Sequence, residues 1–399
     1  MKFDCATRFR ASYCTQYEDF QDRGVAVDIQ QQVIRRGVTS DMHYVGRIVR
    51  DFANPECEPF LALVSFCTVP FFSLIVQESR RKLKEIGLSG TAPLTLEAEK
   101  ICARSRNSLK FFEDKKPGSS DDGIAKQLAY FNDEVLAKHS AHFLGNTWLP
   151  IARFAETDLG LFGYDGKLMS TTHAASFHMG TEPTRLLQSD GGEYISRIME
   201  EYGSYFGALG ASTNVDGDTF VSHLELGKLD RLRNTRAEPY YRRVFNGSKT
   251  LAINGVLTDF QAMMNFVDYI VPLGADPADL EYTVFKVRYL MLYQVLSSLR
   301  LLRNDPGYSL SSQSRGILDR MLGTSEARTM LSESGRPFRN TLMHYNLDSR
   351  VSESAVDFRQ PLFGLVHACF QLHNFPSFST LVDKCVRETA AALNEWSST

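Results

Sequence analysis

The chain has no C-x-x-C pair, and its seven cysteines (Cys5, Cys14, Cys57, Cys67, Cys102, Cys369, Cys385) are odd in number and scattered. That pattern excludes a zinc ribbon, argues against a disulfide framework and fits reduced thiols in a cytoplasmic protein. No structural metal is expected. Also missing are G-x-x-x-x-G-K-S/T, G-x-G-x-x-G and G-x-S-x-G, so the P-loop, dinucleotide and hydrolase-elbow classes lose their usual support. Neither sign of charge dominates. With 44 Lys+Arg against 47 Asp+Glu the net charge is −3, which excludes a protein coated in positive charge that grips long nucleic acid by counterion release. A local basic patch stays open. The opening MKFDCATRFR lacks the apolar block of a secretory signal. One run, residues 60–76, is apolar enough to raise a membrane question. It falls just short of a span, contains Ser65, Thr68, Pro70 and Ser73, and reads as buried core, with no membrane partner. Arg80, Arg81, Lys82 and Lys84 after it read as a solvated face.

What is present is an ordinary globular composition, 43% apolar over 399 residues, enough for two or three domains. No period of twenty to fifty residues recurs, so a solenoid is not indicated. Residues 115–123, KKPGSSDDG, read as a linker, because such residues favour turns and bury little. Residues 1–114 are expected to form an N-terminal α+β region. Residues 124–254 are expected to form a middle α+β region, with a hairpin around Asp165-Gly166 and a second turn of that kind at Asp216-Gly217. Apolar residues from Ile195 to Phe206 recur at helical spacing.

From residue 255 to 399 Gly and Pro thin out and periods of three and four take over, which predicts an all-helical part. Asp276-Pro277 would open a long helix reaching about Arg303, with further helices at about 258–270, 312–334, 337–345, 361–372 and 377–396. The fold class is therefore mainly α, a C-terminal helical bundle joined to an N-terminal α+β region.

Within that part lies Arg336-Pro337-Phe338-Arg339-Asn340-Thr341-Leu342-Met343-His344-Tyr345. Arg339 and His344 share one short helix, about 140° apart around it and about 7.5 Å along its axis. They point to different flanks, so a compact site forms more easily if a second copy faces the first across a twofold. An Arg and a His five apart are expected by chance roughly 0.7 times, but with Asn directly after the Arg the expectation drops to roughly 0.02. Ten basic residues against five acidic ones over 286–350 give a local excess suited to phosphate.

The segment R-N-T-L-M-H-Y in a C-terminal helical part resembles the R-(polar)-x3-H signature of the HEPN superfamily, and most closely its abortive-infection (Abi-like) group. The resemblance covers roughly residues 255–399. It implies a dimerising helical bundle and a metal-independent endoribonuclease without cofactor, with Arg339 and His344 as catalytic pair and Asn340 at the polar position. Asn340, Arg336 and Tyr345 are candidate substrate contacts. A related group carries Tyr two places after the His, but here Asn346 holds that place, so no role resting on that tyrosine is carried over. RNA is the implied substrate, a homodimer the implied assembly, and a defence or toxin role the implied context. An antitoxin or an activating ligand is expected at the N-terminal region.

The chemistry is coherent: histidine moves protons near neutrality, and an always-charged arginine supplies paired donors to phosphate oxygens. The alternative is a non-catalytic helical module that binds RNA, a nucleotide or a protein, with Arg339 capping or ion-pairing and His344 satisfied at a helix end. Tyr345 reads equally as helix-end packing, and Arg336 as a solvated arginine. His139 and His142 read as structural, since no nearby acidic or Cys partner completes a zinc set, and His173 and His178 would reach a ligand only if the stretch after the hairpin folds back.

Overall fold

The computed structural model describes residues 28–52, 54–88, 92–112, 123–148, 152–187, 191–209, 217–246, 250–275, 282–308 and 310–398. Most of the expected linker, Asp216 and the Asp276-Pro277 helix start lie outside the described residues. The chain is mainly helical with one small sheet. Among the described residues the first elements are α1 (Ile29–Phe52), α2 (Leu61–Glu85) and α3 (Leu96–Ser108). Then α4 (Gly123–Tyr130) runs through a π turn into α5 (Ala137–Phe143). The strands β1 (Leu159–Tyr164) and β2 (Lys167–Thr171) precede α6 (Thr172–Met179), α7 (Pro183–Leu187) and α8 (Gly191–Ala208). After β3 (Arg233–Thr235) come α9 (Ala237–Arg243), α10 (Leu251–Asn265), α11 (Tyr282–Asn304), α12 (Ser312–Leu322) and α13 (Ser325–Met330). Last are α14 (Gly335–His344), α15 (Leu365–Cys369) and α16 (Phe375–Ser397).

The hairpin forms as its turn residues predict. Asp165 and Gly166 take φ of 54° and 71°, the paired left-handed conformation that lets a two-residue turn follow the strand twist. β3 adds to β1 in antiparallel register, giving the order β2-β1-β3. The first region departs from expectation: among its described residues there are helices and no strand. The single helix expected over 312–334 is two, because Gly323 and Thr324 break it and the Thr324 hydroxyl accepts from the Ala327 N–H to start the second. Around Pro361 a left-handed Leu362 and Phe363 confine the expected helix to α15.

The apolar run of α2 is buried inside the protein, as its polar residues require. The Ser73 and Ser79 hydroxyls bond the hydroxyls of Tyr202 and Tyr205 at 2.7 and 2.8 Å, tying α2 to α8. One hydrophobic core extends from Val33 in α1 to Trp396 in α16. It crosses both expected boundaries, and the one at 255 falls inside α10. A Cβ at Gly255 would lie 2.2 Å from the Phe131 ring, so only glycine allows that approach between α10 and the π turn after α4.

Candidate functional site

Helix α14 exists because its apolar face has a deep seat. Phe338 sits edge-on to Tyr289 at 4.8 Å and to Phe370 and Phe378 at 5.4 and 5.5 Å, and Leu342 and Met343 are buried beside it. Gly335 starts it where a Cβ would strike the Met330 carbonyl at 1.9 Å. Tyr345 ends it by turning left-handed, with φ 49°.

The two motif side chains leave the helix towards different neighbours, as their spacing predicts. Arg339 is only 7% exposed and packs towards α11. Its Nη1 donates to Asn340 Oδ1 at 3.1 Å, and its guanidinium lies 5.9 Å from the Tyr293 ring centre. With the Gln294 amide turned oxygen-inward, Arg339 Nε donates to that oxygen at 3.1 Å, and Nη2 donates to it as well. His344 faces α2 instead. Its side chain keeps 22% of its exposure, and Nδ1 stands 3.0 Å from Glu78 Oε2, close enough for an ion pair but out of line for a directed hydrogen bond.

Glu78 is fully buried and shared. Arg106 Nε of α3 reaches Oε1 at 2.5 Å and Arg81 Nη2 reaches Oε2 at 2.7 Å. Burial opposes its ionisation, but His344 and the two guanidiniums outweigh that and hold the carboxyl well below the usual range. Arg81 and Arg106 keep 41% and 31% exposure. The arrangement is thus an imidazole and two accessible guanidiniums around one buried anion, a setting that can move a proton beside a phosphate.

The remaining candidates are divided. Arg336 is exposed on the first turn of α14. Asn340 Nδ2 donates to Asp348 Oδ2 at 2.9 Å and fixes the loop after the helix. Tyr345 is 1% exposed, its hydroxyl donates to Asp41 of α1, and Lys286 Nζ lies 3.9 Å over its ring, so the expected stacking face is closed. Lys286 also pairs with Asp41 at 2.5 Å, and Thr283 donates to the same carboxylate at 2.7 Å. Gln30 closes the clamp, donating to Asn346 Oδ1 and accepting from the Leu347 N–H, each at 2.9 Å.

No family model, curated protein or solved structure matches the chain. The reading of the site therefore rests on its geometry and on the motif.

Two expectations are corrected. The basic excess over 286–350 is reduced by acids from outside the segment: Lys286 is buried on Asp41, while Arg288 and Arg320 pair with Asp383 and Glu395. The supposed solvated face after residue 76 is partly structural, with Lys82 buried and bonded to Asn346 at 2.8 Å.

The histidines regroup by space rather than sequence. His142 is exposed, while His139 lies edge-on to His173 at 4.3 Å. Both donate a ring N–H to the Asp158 carbonyl, and their other nitrogens meet the Ser176 and Tyr241 hydroxyls. His178 stands between Ser108 Oγ and Asp259, 2.8 Å from each. That trio has nucleophilic composition, but Ser108 is fully buried and the cavity beside His178 is about 20 Å³, room for one water and no substrate. Among the described residues no group of three or more His, Cys, Asp or Glu is placed to hold a metal. A larger cleft of about 390 Å³ opens along α1, with Ser40, His43, Arg47, Thr219, Leu273 and Tyr282 in its wall.

Proposed function

We propose that this chain is a metal-independent endoribonuclease of the HEPN kind, acting as a defence or toxin effector. The observation that carries the reading is the placement of His344: the histidine of the R-N-x3-H helix stays open to solvent while a buried, ionised Glu78 stands at Nδ1 and two accessible guanidiniums flank it. His344 takes the 2′-OH proton as the oxygen attacks phosphorus, and protonates the departing 5′-oxygen. Arg81 and Arg106 offset the phosphorane charge, with Arg336 available at the near end of the helix. Arg339 is then a positioning residue that fixes α14 on α11. The products carry 2′,3′-cyclic phosphate and 5′-hydroxyl ends. A homodimer through the C-terminal part would bring two such helices to one RNA. The α1 cleft offers an activating ligand room next to the helix that holds Tyr345. The test is cleavage of labelled RNA by purified protein with chelator present: His344→Ala abolishes it, and a His344→Ala chain that cuts as well as wild type ends the proposal.

A second reading, a non-catalytic helical module binding RNA, a nucleotide or a protein, is favoured by one observation. Arg339 is sealed and committed to Gln294 and Asn340, and duplicating a sealed side chain across a dimer leaves both sealed. Binding without turnover, unchanged in Arg339→Ala, selects it.

A further inference from the structure

A second basic region lies on the edge of the sheet. Between residues 228 and 243 six basic residues stand against two acidic ones. Lys228 is paired with Glu225 at 2.6 Å and Arg242 with Glu238, but the arginines between them are not. Arg231 and Arg233 are exposed and Arg236 is half-buried, and none of the three has an ion-pair partner among the described residues. The segment's own carboxylates are engaged: Asp230 Oδ2 accepts from the Gly166 N–H at 3.1 Å, and Glu238 holds Arg242 at 2.7 Å. Asp158, which feels the Arg236 charge, is buried and accepts from the Ala237 N–H at 2.8 Å.

The backbone displays these groups outward. β3 bonds β1 on one side only and is an edge strand of the sheet. A Cβ on Gly160 would lie 3.5 Å from Leu232 and 3.4 Å from Asn234, so these two share the Gly160 face, while Arg233 aligns with Leu161 on the other. Tyr240, on the first turn of α9, is half-buried within reach of the Arg233 charge and is braced edge-on by Tyr241 at 5.5 Å. Guanidiniums take phosphate oxygens in pairs, and an aromatic ring among them stacks on any base. Like charges within residues 231–236 that have no ion-pair partner among the described residues repel, and a polyanion relieves the repulsion.

We infer that Arg231, Arg233, Arg236 and Tyr240 form a docking strip for single-stranded RNA, separate from the α14 site. The choice of RNA among polyanions rests on the nuclease reading. The experiment is fluorescence anisotropy of the full chain with a fluorescein-labelled 2′-O-methyl oligouridylate, which lacks the attacking hydroxyl, so binding is read apart from cleavage. Removing three phosphate contacts together by Arg231→Gln, Arg233→Gln and Arg236→Gln should weaken binding at least about tenfold at low salt and reduce the log–log salt slope by about 2. Thermal melting of the same variant verifies that its fold is kept. Unchanged affinity in the variant, no binding by wild type, or tighter binding of wild type to phosphatidylserine vesicles than to the oligomer overturns the strip. Strip-dependent binding by a chain that cuts no unmodified RNA keeps the strip and removes the nuclease. Cleavage with strip-independent binding does the reverse.

Discussion

Replacing Glu78 by Gln removes one negative charge from between two guanidiniums and an imidazole while keeping the side-chain volume. Breaking a buried ion pair by deleting one partner costs about 3–5 kcal/mol. The low end applies here, because Arg81 retains Glu85 at 3.0 Å and both arginines reach solvent. A loss of about 3 kcal/mol, divided by the unfolding entropy of a chain this size, lowers the melting temperature by about 4 °C. The pH dependence has a fixed sign. Glu78 is held below the usual carboxylate range, so its contribution is fully present above the unfolded value of about 4.3 and is lost as pH falls towards the folded value. The deficit of Glu78→Gln is therefore flat from pH 7 to about 5 and shrinks in stronger acid. Differential scanning fluorimetry of both chains across that range is the assay. A variant that melts with wild type at pH 7, or a deficit that grows in acid, would refute the claim that this carboxylate is the ionised anchor of His344.

Burial holds His139 down to about 4 and His173 well below its ordinary value, so the unfolded chain takes up their protons first. Stability should fall as pH drops below about 6.5, by about 2 kcal/mol per histidine at pH 5. Denaturant midpoints at pH 7.5, 6 and 5 test this, with a shallower fall expected in His139→Gln and an identical fall counting against it. In the α1 clamp, Asp41→Asn alone strands Lys286 and should cost about 3 kcal/mol or more. Adding Lys286→Met should recover at least about 1 kcal/mol in urea titrations, and strict additivity would show the pair to be uncoupled.

Local signals in the sequence located the elements well. Asp165-Gly166 placed the hairpin, and periods of three and four placed α14, α16 and the end of α11, while α10 begins at Leu251, ahead of the expected 258. The five-residue spacing of Arg339 and His344 correctly implied divergent side chains. What local signals do not carry is which element each side chain meets. Glu78 is an acid just past an apolar run, and nothing nearby marks it as the partner of a histidine 266 positions later. The net charge over 286–350 misled for the same reason, since several of its cations are matched by acids elsewhere along the chain. At residue 255 composition changes while packing does not: Phe131 fills the space that Gly255 leaves.

The clamp from α1 has a practical corollary for anyone trimming this protein. A fragment starting at residue 255 would keep the whole R-N-x3-H helix yet lose Asp41, Gln30 and Glu78, the groups that hold Tyr345, Leu347 and His344 in place. Its lysine at 286 would be stripped of its counter-ion and its motif histidine of its anion. The signature lies late in the sequence, but α1 and α2 are its foundation, and whatever pries α1 loose is felt one residue from the imidazole.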